Sequence, residues 1–508
     1  MPFSRLDCIT CAEKIKDEKE ATPGRGSDKK MRKYSVNGKR IFLMSLPIFA
    51  ELFLQLMVGN VDQIMLSGYS SDSVAAIGNA NTVINLVIVI LTMASSGGMI
   101  ALTHYIGAND TKKMKDAVIW TFVLSGAFGL VFTVISVSAA TPLLYALNAP
   151  EEIIGQASGY ITVVGAGLII QAAQLAGTAV LRSFSRLKEI LIIAVVMNLT
   201  NILGNWLLIN GIWIFPEYGI LGAAISTDVS KLIGLLITLA VMIKRVPVKV
   251  RFSDLKALDA ATFKDIVKIA LPTGGETASY NLSQIVVLSF INIFGTAVIN
   301  TKVYCSMLAN VAYLYSLAIA QSTQINIGYL VGAGEYSTVS SRVAKTTAVC
   351  IGVSVAVTTI LWLTSDYVLG FLTSDVEVLE LAKSILLIEI ALEIGRSVNI
   401  VMTRCLATVG DINFPVTVTV IMEWAVEAGI GYLLGVKLGY GLKGIWIAMA
   451  ADEILRGIFF AVRFARKKWM HRTPERAFPK RGSAVKEIED VFVHPRKLLN
   501  ALALAIRF

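Results

Sequence analysis

The sequence predicts an all-α polytopic membrane protein with twelve transmembrane helices in two six-helix lobes related by an internal repeat. Of the 508 residues, 55% are hydrophobic and only 16% are charged, which is more apolar sequence than a soluble domain can cover with a wetted surface. The apolar stretches reach the length of about 20 residues that crosses the hydrocarbon core. They also lack the alternation of barrel strands, so helices must satisfy the backbone in lipid.

The repeat is visible in short motifs that return in the second half of the chain at a constant shift, which we call the repeat offset. Leu46–Glu51 (Leu-Pro-Ile-Phe-Ala-Glu) returns as Leu271–Glu276 (Leu-Pro-Thr-Gly-Gly-Glu), and Gly107–Asp110 returns as Gly332–Glu335. An identical shift at well-separated places indicates two similar halves. A membrane chain built from two such halves is typical of a secondary transporter and not of an enzyme.

The apolar stretches, taken in order, place six spans in each half. The predicted spans of the first half are 41–66, 80–104, 113–142, 154–181, 187–211 and 219–243. Those of the second half are 264–293, 303–330, 342–371, 378–405, 413–435 and 441–464. Because six spans return the chain to its starting side, the second half enters the membrane in the same orientation as the first. The halves should then be related by a pseudo-two-fold axis along the membrane normal.

The charges of the connections predict the orientation. Lysine and arginine crowd the segment before the first span and alternate connections, at 112–115, 182–188, 244–256 and from 463 onward. The other connections have almost none, at 70–73, 148–152, 215–217 and 374–380. Basic loops stay in the cytoplasm, so both termini should be cytoplasmic. These loops account for the net charge of +10, and no nucleic-acid partner is expected.

The resulting domain prediction has five parts along the chain. They are a cytoplasmic N-terminal extension (1–40), an N-lobe (41–245), a cytoplasmic linker (246–262), a C-lobe (263–466) and a cytoplasmic basic tail (467–508). Cys8 and Cys11 form a weak CxxC motif in the extension, and Met31 is an alternative start. The end of the tail is either an amphipathic helix on the inner leaflet or a frayed terminus.

Ionisable residues inside the predicted spans are candidates for function, because each costs about 2.5–3.5 kcal/mol at mid-depth. Glu51 and Glu276 occupy equivalent positions near the midplane, and Asp62 lies further along the first span. In span 5, Asn201 and Asn205 share one helical face with a third asparagine, Asn198.

Span 6 carries Thr227 and Asp228 at a depth similar to that of Asp62. A carboxylate that faces amide and hydroxyl oxygens suits a Na⁺ or a proton site. The alternative is that Asp62 is a satisfied structural hydrogen-bonding group.

The second half is richer in charge. An arginine-centred network is predicted from residues at i, i+4 spacing in spans 10 and 11, namely Glu389, Glu393, Arg396, Glu423 and Glu427. Such a network serves either helix packing or ion coupling. Asp452, Glu453 and Arg456 in span 12 are predicted to lie closer to the cytoplasm as a separate structural lock.

An ordered set of motifs carries a family resemblance. It consists of Leu46-Pro47, Val61–Met65, Ala75–Gly78, Tyr105–Asp110, Val180–Ser183, Asn201-Ile202, Gly219–Thr227, Leu406–Asp411 and Gly441–Trp446. Over about residues 40–466 the chain resembles the multidrug and toxic compound extrusion (MATE) family of antiporters. The resemblance implies two six-helix lobes around a central cavity, and export of cationic or amphipathic compounds in exchange for H⁺ or Na⁺.

The resemblance also implies roles for individual residues. Asp62 matches the first-span acid used for cation coupling, Asn201 its span-5 partner and Thr227 the span-6 hydroxyl, so Na⁺ is possible at Asp62 and Asn201. Asn205 departs from the family pattern, because many relatives carry aspartate there. Glu276 resembles the span-7 glutamate of one branch. Where other branches have the acid four residues later, this chain has Tyr280.

These observations predict a secondary active multidrug exporter that antiports organic cations or amphipathic compounds against H⁺ or Na⁺ by alternating access. We expect a monomer in the inner membrane, with no cofactor beyond the coupling ion. The alternative is a flippase for lipid-linked precursors with a similar two-lobed architecture. A flippase for pyrophosphate should line its cavity with arginine and lysine, and few basic residues are expected at mid-depth.

Overall fold

The computed structural model describes residues 38–67, 69–146, 150–370, 373 and 375–471, and it shows a bundle of long helices. The CxxC motif at Cys8 and Cys11, the alternative start at Met31 and the helix predicted near the C-terminus lie outside the described residues.

The helices follow one another with short connections. Those of the first half are α1 (Gly38–Ser67), α2 (Ser71–Ala108), α3 (Thr111–Ala146), α4 (Glu151–Ala166), α5 (Leu168–Ser183), α6 (Leu187–Ile209) and α7 (Ile220–Arg245). Those of the second half are α8 (Ala260–Asn292), α9 (Thr296–Gly332), α10 (Tyr336–Leu363), α11 (Ser365–Gly370), α12 (Val376–Thr408), α13 (Asn413–Met422) and α14 (Gly441–Ala465). Two π-helical segments, Glu423–Ile430 and Leu433–Lys437, continue α13.

Length and composition identify most of the predicted spans directly. Within the described part of the chain, eight helices are long and apolar enough to cross a membrane, and α4 with α5 forms a ninth candidate. The three other predicted spans correspond to α8, α12 and α14. These helices carry most of the ionisable residues of the second half, so their charge content separates them from the rest.

The fourth span differs from its prediction as one uninterrupted helix. It is bent by 47° between α4 and α5, and Gly167 stands at the break. A Cβ atom at Gly167 would lie 2.1 Å from an oxygen of Asp228 on α7. The bend therefore occurs where the aspartate packs directly against the backbone, a contact that composition does not reveal.

The internal repeat extends to the points at which helices end. Asn109 (φ 55°) and Gly334 (φ 74°) are left-handed residues related by the repeat offset, and so are Ser185 (φ 57°) and Gly410 (φ 85°). After both α2 and α9, the residue that follows the left-handed residue donates its amide to the carbonyl five residues earlier, at 3.1 and 2.9 Å. This is the usual closure of a helix C-terminus. The repeat thus fixes helix boundaries as well as composition.

Equivalent residues of the two halves touch each other where α2 crosses α9. A Cβ atom at Gly332 would lie 2.9 Å from the Cα of Gly107, and one at Gly328 would lie 2.1 Å from the Oγ1 of Thr103. The members of each pair are related by the repeat offset. Equivalent positions meet only on a symmetry axis, so the pseudo-two-fold axis passes through this crossing. Small residues allow the close approach.

The first turns of α1 and α8 each pack against a helix of the opposite half, and the two contacts are pseudo-symmetric. The Ser322 hydroxyl on α9 donates to the carbonyl of Ile41 on α1 at 2.8 Å. At the equivalent place, Gly97 on α2 lies against the carbonyl of Ile266 on α8, 2.8 Å from where its Cβ would be. Each half therefore supports the beginning of the other half's first helix.

We call the side of the bundle that carries the basic connections the basic face. There, one apolar core joins both halves, with members such as Ile48, Leu102, Leu181, Ile266 and Ile325. Near the opposite face each half has a core of its own. Leu66, Ile77 and Ile209 belong to the first of these cores, and Val287, Ile385 and Trp446 belong to the second. The halves are thus packed together at the basic face and packed separately at the other.

Further polar contacts tie the halves at the basic face. The Tyr329 hydroxyl on α9 donates to the backbone carbonyl of Ser183 and lies 2.9 Å from the Ser185 hydroxyl. His104 on α2 lies beside the backbone of Thr408 at the end of α12. His104 and Tyr329 are equivalent by the repeat, as are Ser183 and Thr408, so these contacts form a pseudo-symmetric closure.

The segment between α7 and α8 is anchored to α3. The Arg251 amide donates to a carboxylate oxygen of Asp254 at 2.9 Å, and the Lys115 ammonium lies 3.1 Å from the same oxygen. The Arg251 amide first and Lys115 second hold the pKa of Asp254 below its usual range.

Candidate functional site

The predicted polar residues of spans 1, 5 and 6 come together in the first half. Asn205 on α6 donates its side-chain amide to Asp62 on α1 at 2.6 Å. Asn201, one turn earlier, donates to the hydroxyl of Thr227 on α7 at 3.3 Å. Asp228 follows Thr227. We call these five residues the first-lobe site.

Several oxygens of the first-lobe site lack a hydrogen-bond donor. The side-chain carbonyls of Asn201 and Asn205 and one carboxylate oxygen of Asp228 are buried without a partner among the described residues. Because buried polar atoms are normally paired, unpaired oxygens in one cluster suit a bound cation. Carbonyl and carboxylate oxygens are the ligands of hard cations.

Two residues beside the site are absent from the sequence prediction. Lys231, three residues after Asp228 on α7, interacts electrostatically with both Asp228 and Asp62. Tyr160 on α4 is buried and interacts with the same two acids and with Thr227. The i, i+3 spacing of Asp228 and Lys231 could have revealed the lysine. Nothing in the sequence indicates the tyrosine.

Glu51, an expected cavity residue, is buried in an ion pair. Its two carboxylate oxygens each lie 2.8 Å from the same nitrogen of Arg182, and only 4% of Glu51 is exposed. Arg182 was expected in a basic connection, but it lies in the last turn of α5. Pairing with Glu51 offsets the cost of burying the arginine inside the fold.

The equivalent Glu276 is in a different environment. It is half-buried and has no hydrogen-bond or ion-pair partner in the described part of the chain, although Arg404 and Arg456 act on it electrostatically. Tyr280, one turn later, is 42% exposed. Arg404 also interacts with Arg182 of the other half. Lys231 lies near the middle of α7, whereas Arg182 and Arg404 lie close to the ends of α5 and α12. The expectation of few basic residues at mid-depth therefore missed one lysine.

In the second half, Arg396 contacts Glu389 and Glu393 of the predicted network, whereas Glu423 lies beside Arg456 instead. One guanidinium nitrogen of Arg396 lies 2.9 Å from Glu389 and 2.5 Å from Glu393. Trp446 donates its indole N–H to the other oxygen of Glu389 at 2.6 Å. All three partners are almost fully buried. Charge-assisted bonds of this kind are stronger than neutral ones. Those of Arg396 lie within α12, and the bond from Trp446 joins α14 to α12.

Arg456, predicted to belong to a structural lock in span 12, forms a second centre that is connected to the first. It bonds Asp452 and lies 3.3 Å from Glu453 and 3.6 Å from Glu423. Glu453 also lies 3.9 Å from Arg396, so it bridges the two arginines. The side chains of three helical spans thus share one buried network.

The same network contains an excess of acids. Glu427 accepts from Gln284 on α8 at 2.6 Å, and Glu423 accepts from Ser279 at 3.1 Å. Six carboxylates therefore surround two guanidinium groups, and they belong to Glu389, Glu393, Glu423, Glu427, Asp452 and Glu453. With four more acids than arginines in a buried volume, some of the carboxyl groups must be protonated or neutralised by a cation. No group of His, Cys, Asp or Glu within the described ranges is suited to hold a resident metal ion.

Comparison with known proteins decides the family. The MatE family model matches residues 47–207 and again residues 272–433, so the starts of the two matches are related by the repeat offset. The chain belongs to the MATE family. It is also 32% identical over 432 residues to the uncharacterized transporter YisQ of Bacillus subtilis (strain 168), covering 85% of this chain and 95% of YisQ. It is therefore a transporter and not an enzyme.

Further relatives and solved MATE structures agree with this family assignment. A probable multidrug resistance protein NorM of Thermotoga maritima is 25% identical over 439 residues, covering 85% of this chain and 93% of that protein. A crystal structure of a MATE protein in the bent conformation superposes with a TM-score of 0.79 at 19% identity, over 87% of this chain and 97% of that one. These likenesses confirm the expected fold of twelve transmembrane helices in two lobes.

Proposed function

We propose that this MATE transporter is a secondary active exporter that moves organic cations or amphipathic compounds out of the cell in exchange for H⁺ or Na⁺. The observation that carries the proposal is the first-lobe site, in which Asp62 is held by a neutral amide and the neighbouring oxygens lack donors. A carboxylate with neutral partners can exchange a proton or a cation without breaking an ion pair. The NorM relatives are named as probable multidrug resistance proteins, which supports drug export.

The packing of the halves supports alternating access. If the basic face is cytoplasmic, as the positive-inside rule indicates, the closure at Tyr329 and His104 belongs to the outward-facing state, which can take up the ion from outside. Ion binding drives the cycle only if the ion binds the outward and inward forms unequally. We propose that Asp62 supplies this difference, with the protein working as a monomer in the cell membrane.

The second lobe supports a cationic substrate. The excess of carboxylates around Arg396 and Arg456 creates a negative potential, and Glu276 and Tyr280 lie beside it in partly exposed positions. We propose that these two residues contact the substrate and that the deeper acids set the potential.

A flippase for lipid-linked precursors is the second candidate, and one observation favours it. Arg182 and Arg404 come from different lobes and lie close enough to interact, which suits an anionic group between the lobes. However, Glu51 already neutralises Arg182 and Glu276 acts on Arg404, so the net charge there is small. The proximity of the two arginines is therefore weaker support for a flippase than the excess of acids in the second lobe is for a cation exporter.

The test is ethidium transport in proteoliposomes under an imposed Na⁺ gradient or an imposed pH gradient. We expect one of the two gradients to drive ethidium transport and Asp62→Asn to abolish it. Glu276→Gln should weaken the binding of ethidium. Asp366→Asn is the matched control, because that acid pairs with Lys383 at the surface. Unchanged transport in Asp62→Asn would refute the site. If well-folded protein moves no organic cation but moves a fluorescent lipid pyrophosphate, the flippase replaces the exporter.

A further inference from the structure

A cavity of about 300 Å³ opens at the basic face between the first turns of α1 and the helices α9 and α10. Its walls are apolar and include Ile41, Phe42, Ile319 and Val349. Phe42 is 42% exposed and Val349 is 48% exposed. Since α1 and α10 are both long and apolar enough to cross a membrane, we expect these exposed side chains to face lipid.

Three cations stand around this cavity. Lys39 comes from α1, and Arg342 and Lys345 come from neighbouring turns of α10. None of the three forms an ion pair with another described residue, and no acidic residue lines the cavity. An apolar slot with unneutralised cations at its mouth is complementary to an anionic amphiphile.

The pseudo-symmetric place in the first lobe shows that the cavity is not a necessary product of the fold. There the positions equivalent to Gly38 and Lys345 are Phe263 and Trp120, whose ring centroids lie 4.8 Å apart. The Trp120 indole also donates to the backbone carbonyl of Asp259 at 3.1 Å. Two packed aromatic rings thus fill the groove in one lobe, whereas glycine and lysine leave it open and charged in the other.

The stretches of chain directly before α1 and directly after α14 do not match the cavity, and the acidic cluster of the tail, Glu487, Glu489 and Asp490, comes later in the chain. The sequence before α1 is basic, with Lys29, Lys30, Arg32 and Lys33, and the sequence after α14 begins with further arginine and lysine residues. These segments would be repelled by the cations at the mouth. An anionic phospholipid supplies both an acyl chain for the slot and a phosphate for the cations, at the depth of the headgroup region.

We propose that the groove between α1 and α10 is a binding site for an anionic phospholipid of the leaflet at the basic face. One acyl chain lies against Phe42 and Val349, and the phosphate contacts Lys39, Arg342 and Lys345. The Ile41 carbonyl beside the slot is bonded to Ser322, so the bound lipid also contacts the first turn of α1.

Lipid retention by the full chain tests the site. Detergent-solubilised protein is titrated with phosphatidylglycerol or phosphatidylcholine, and bound lipid is counted by native mass spectrometry. We expect selective retention of phosphatidylglycerol. The variant Lys39→Gln/Arg342→Gln/Lys345→Gln should lose affinity by about tenfold or more, because each cation near an anionic headgroup contributes about 1 kcal/mol. Inorganic phosphate should not displace the lipid, which separates a lipid site from a simple anion site.

Two further variants make the outcome decisive. Gly38→Phe/Lys345→Trp copies the filled groove of the first lobe and should block retention, and a Cβ at Gly38 meets no atom within 4 Å. Lys112→Gln/Lys188→Gln/Lys244→Gln removes the same charge from exposed positions on the same face and should leave retention unchanged. Equal loss in this control, or wild-type retention in the filled variant, would overturn the proposal.

Discussion

The two lobes place an acid and a base at the same repeat positions and use them differently. Asp228 and Lys231 of the first lobe correspond, through the repeat offset, to Glu453 and Arg456 of the second. Arg456 bonds three acids directly. Lys231 interacts with its acids over a longer distance and forms no ion pair with any described residue. The guanidinium fork suits a fixed network, whereas an ammonium is a single point charge. The comparison indicates a rigid second lobe and an exchangeable first-lobe site.

The largest expected effect is a loss of stability when the equivalent cations, Arg456 and Lys231, are removed one at a time. Arg456→Gln should lower the free energy of unfolding by about 3–5 kcal/mol, because it leaves several buried acids without their partner. Lys231→Gln should cost far less, since no direct ion pair is lost. Denaturant unfolding of the purified protein in detergent measures both. Equal losses would contradict the contrast between the lobes.

A sharper test converts the first lobe toward the second. Lys231→Arg should allow a direct bond to Asp228, raise the unfolding temperature by about 2 °C and slow gradient-driven transport, because the acid is then held. The reverse change, Arg456→Lys, is the matched control and should lower the unfolding temperature. Faster transport in Lys231→Arg would show that the lysine does not restrain Asp228 in the way proposed.

A smaller effect is expected at the closure of the basic face. Tyr329→Phe removes a neutral hydrogen bond worth about 1 kcal/mol, so the open population of this face should rise about fivefold. Distances between spin labels at Lys112→Cys and Lys345→Cys report that population. Tyr336→Phe, near the same face, should leave it unchanged. An unaltered distance distribution in Tyr329→Phe would remove this bond from the closure.

The smallest effect concerns the segment between the lobes. The pKa of Asp254 is lowered in the folded protein, by the Arg251 amide and then by Lys115. Its anchoring is therefore fully present above the ordinary aspartate pKa and is lost as pH falls through the lowered value. Hydrogen exchange of residues 251–257, corrected for intrinsic rates, should accelerate slightly on acidification. Asp254→Asn should show the faster exchange at neutral pH and no further change. A pH response that persists in Asp254→Asn would contradict the assignment.

The fold was largely predictable because its signals are local or periodic. Apolar length gave the spans, and the constant repeat offset gave the two halves and even the helix ends at Asn109 and Gly334. The first-lobe residues were predictable by depth and helical face. The use of Asp62 and the other site residues in transport stays a prediction.

Contacts between helices that are distant in the chain could not be predicted from the sequence. The bend at Gly167 depends on Asp228 two helices further along the chain, and the burial of Arg182 on α5 depends on Glu51 on α1. Lys231 is an exception, since aligning the chain with itself pairs it with Arg456. The self-alignment therefore contains more about the sites than the motifs alone suggest.

The crossing of α2 and α9 has a consequence for how such a protein can be encoded. Two identical copies related by a true two-fold axis would have to place the same residue on both sides of every axial contact. Threonine opposite threonine would clash there, because a Cβ at residue 328 would lie 2.1 Å from the Thr103 hydroxyl. Glycine opposite glycine would leave the hydroxyl's space empty. A single chain can set Thr103 against Gly328, a close fit at the axis that no homodimer of either half could reproduce.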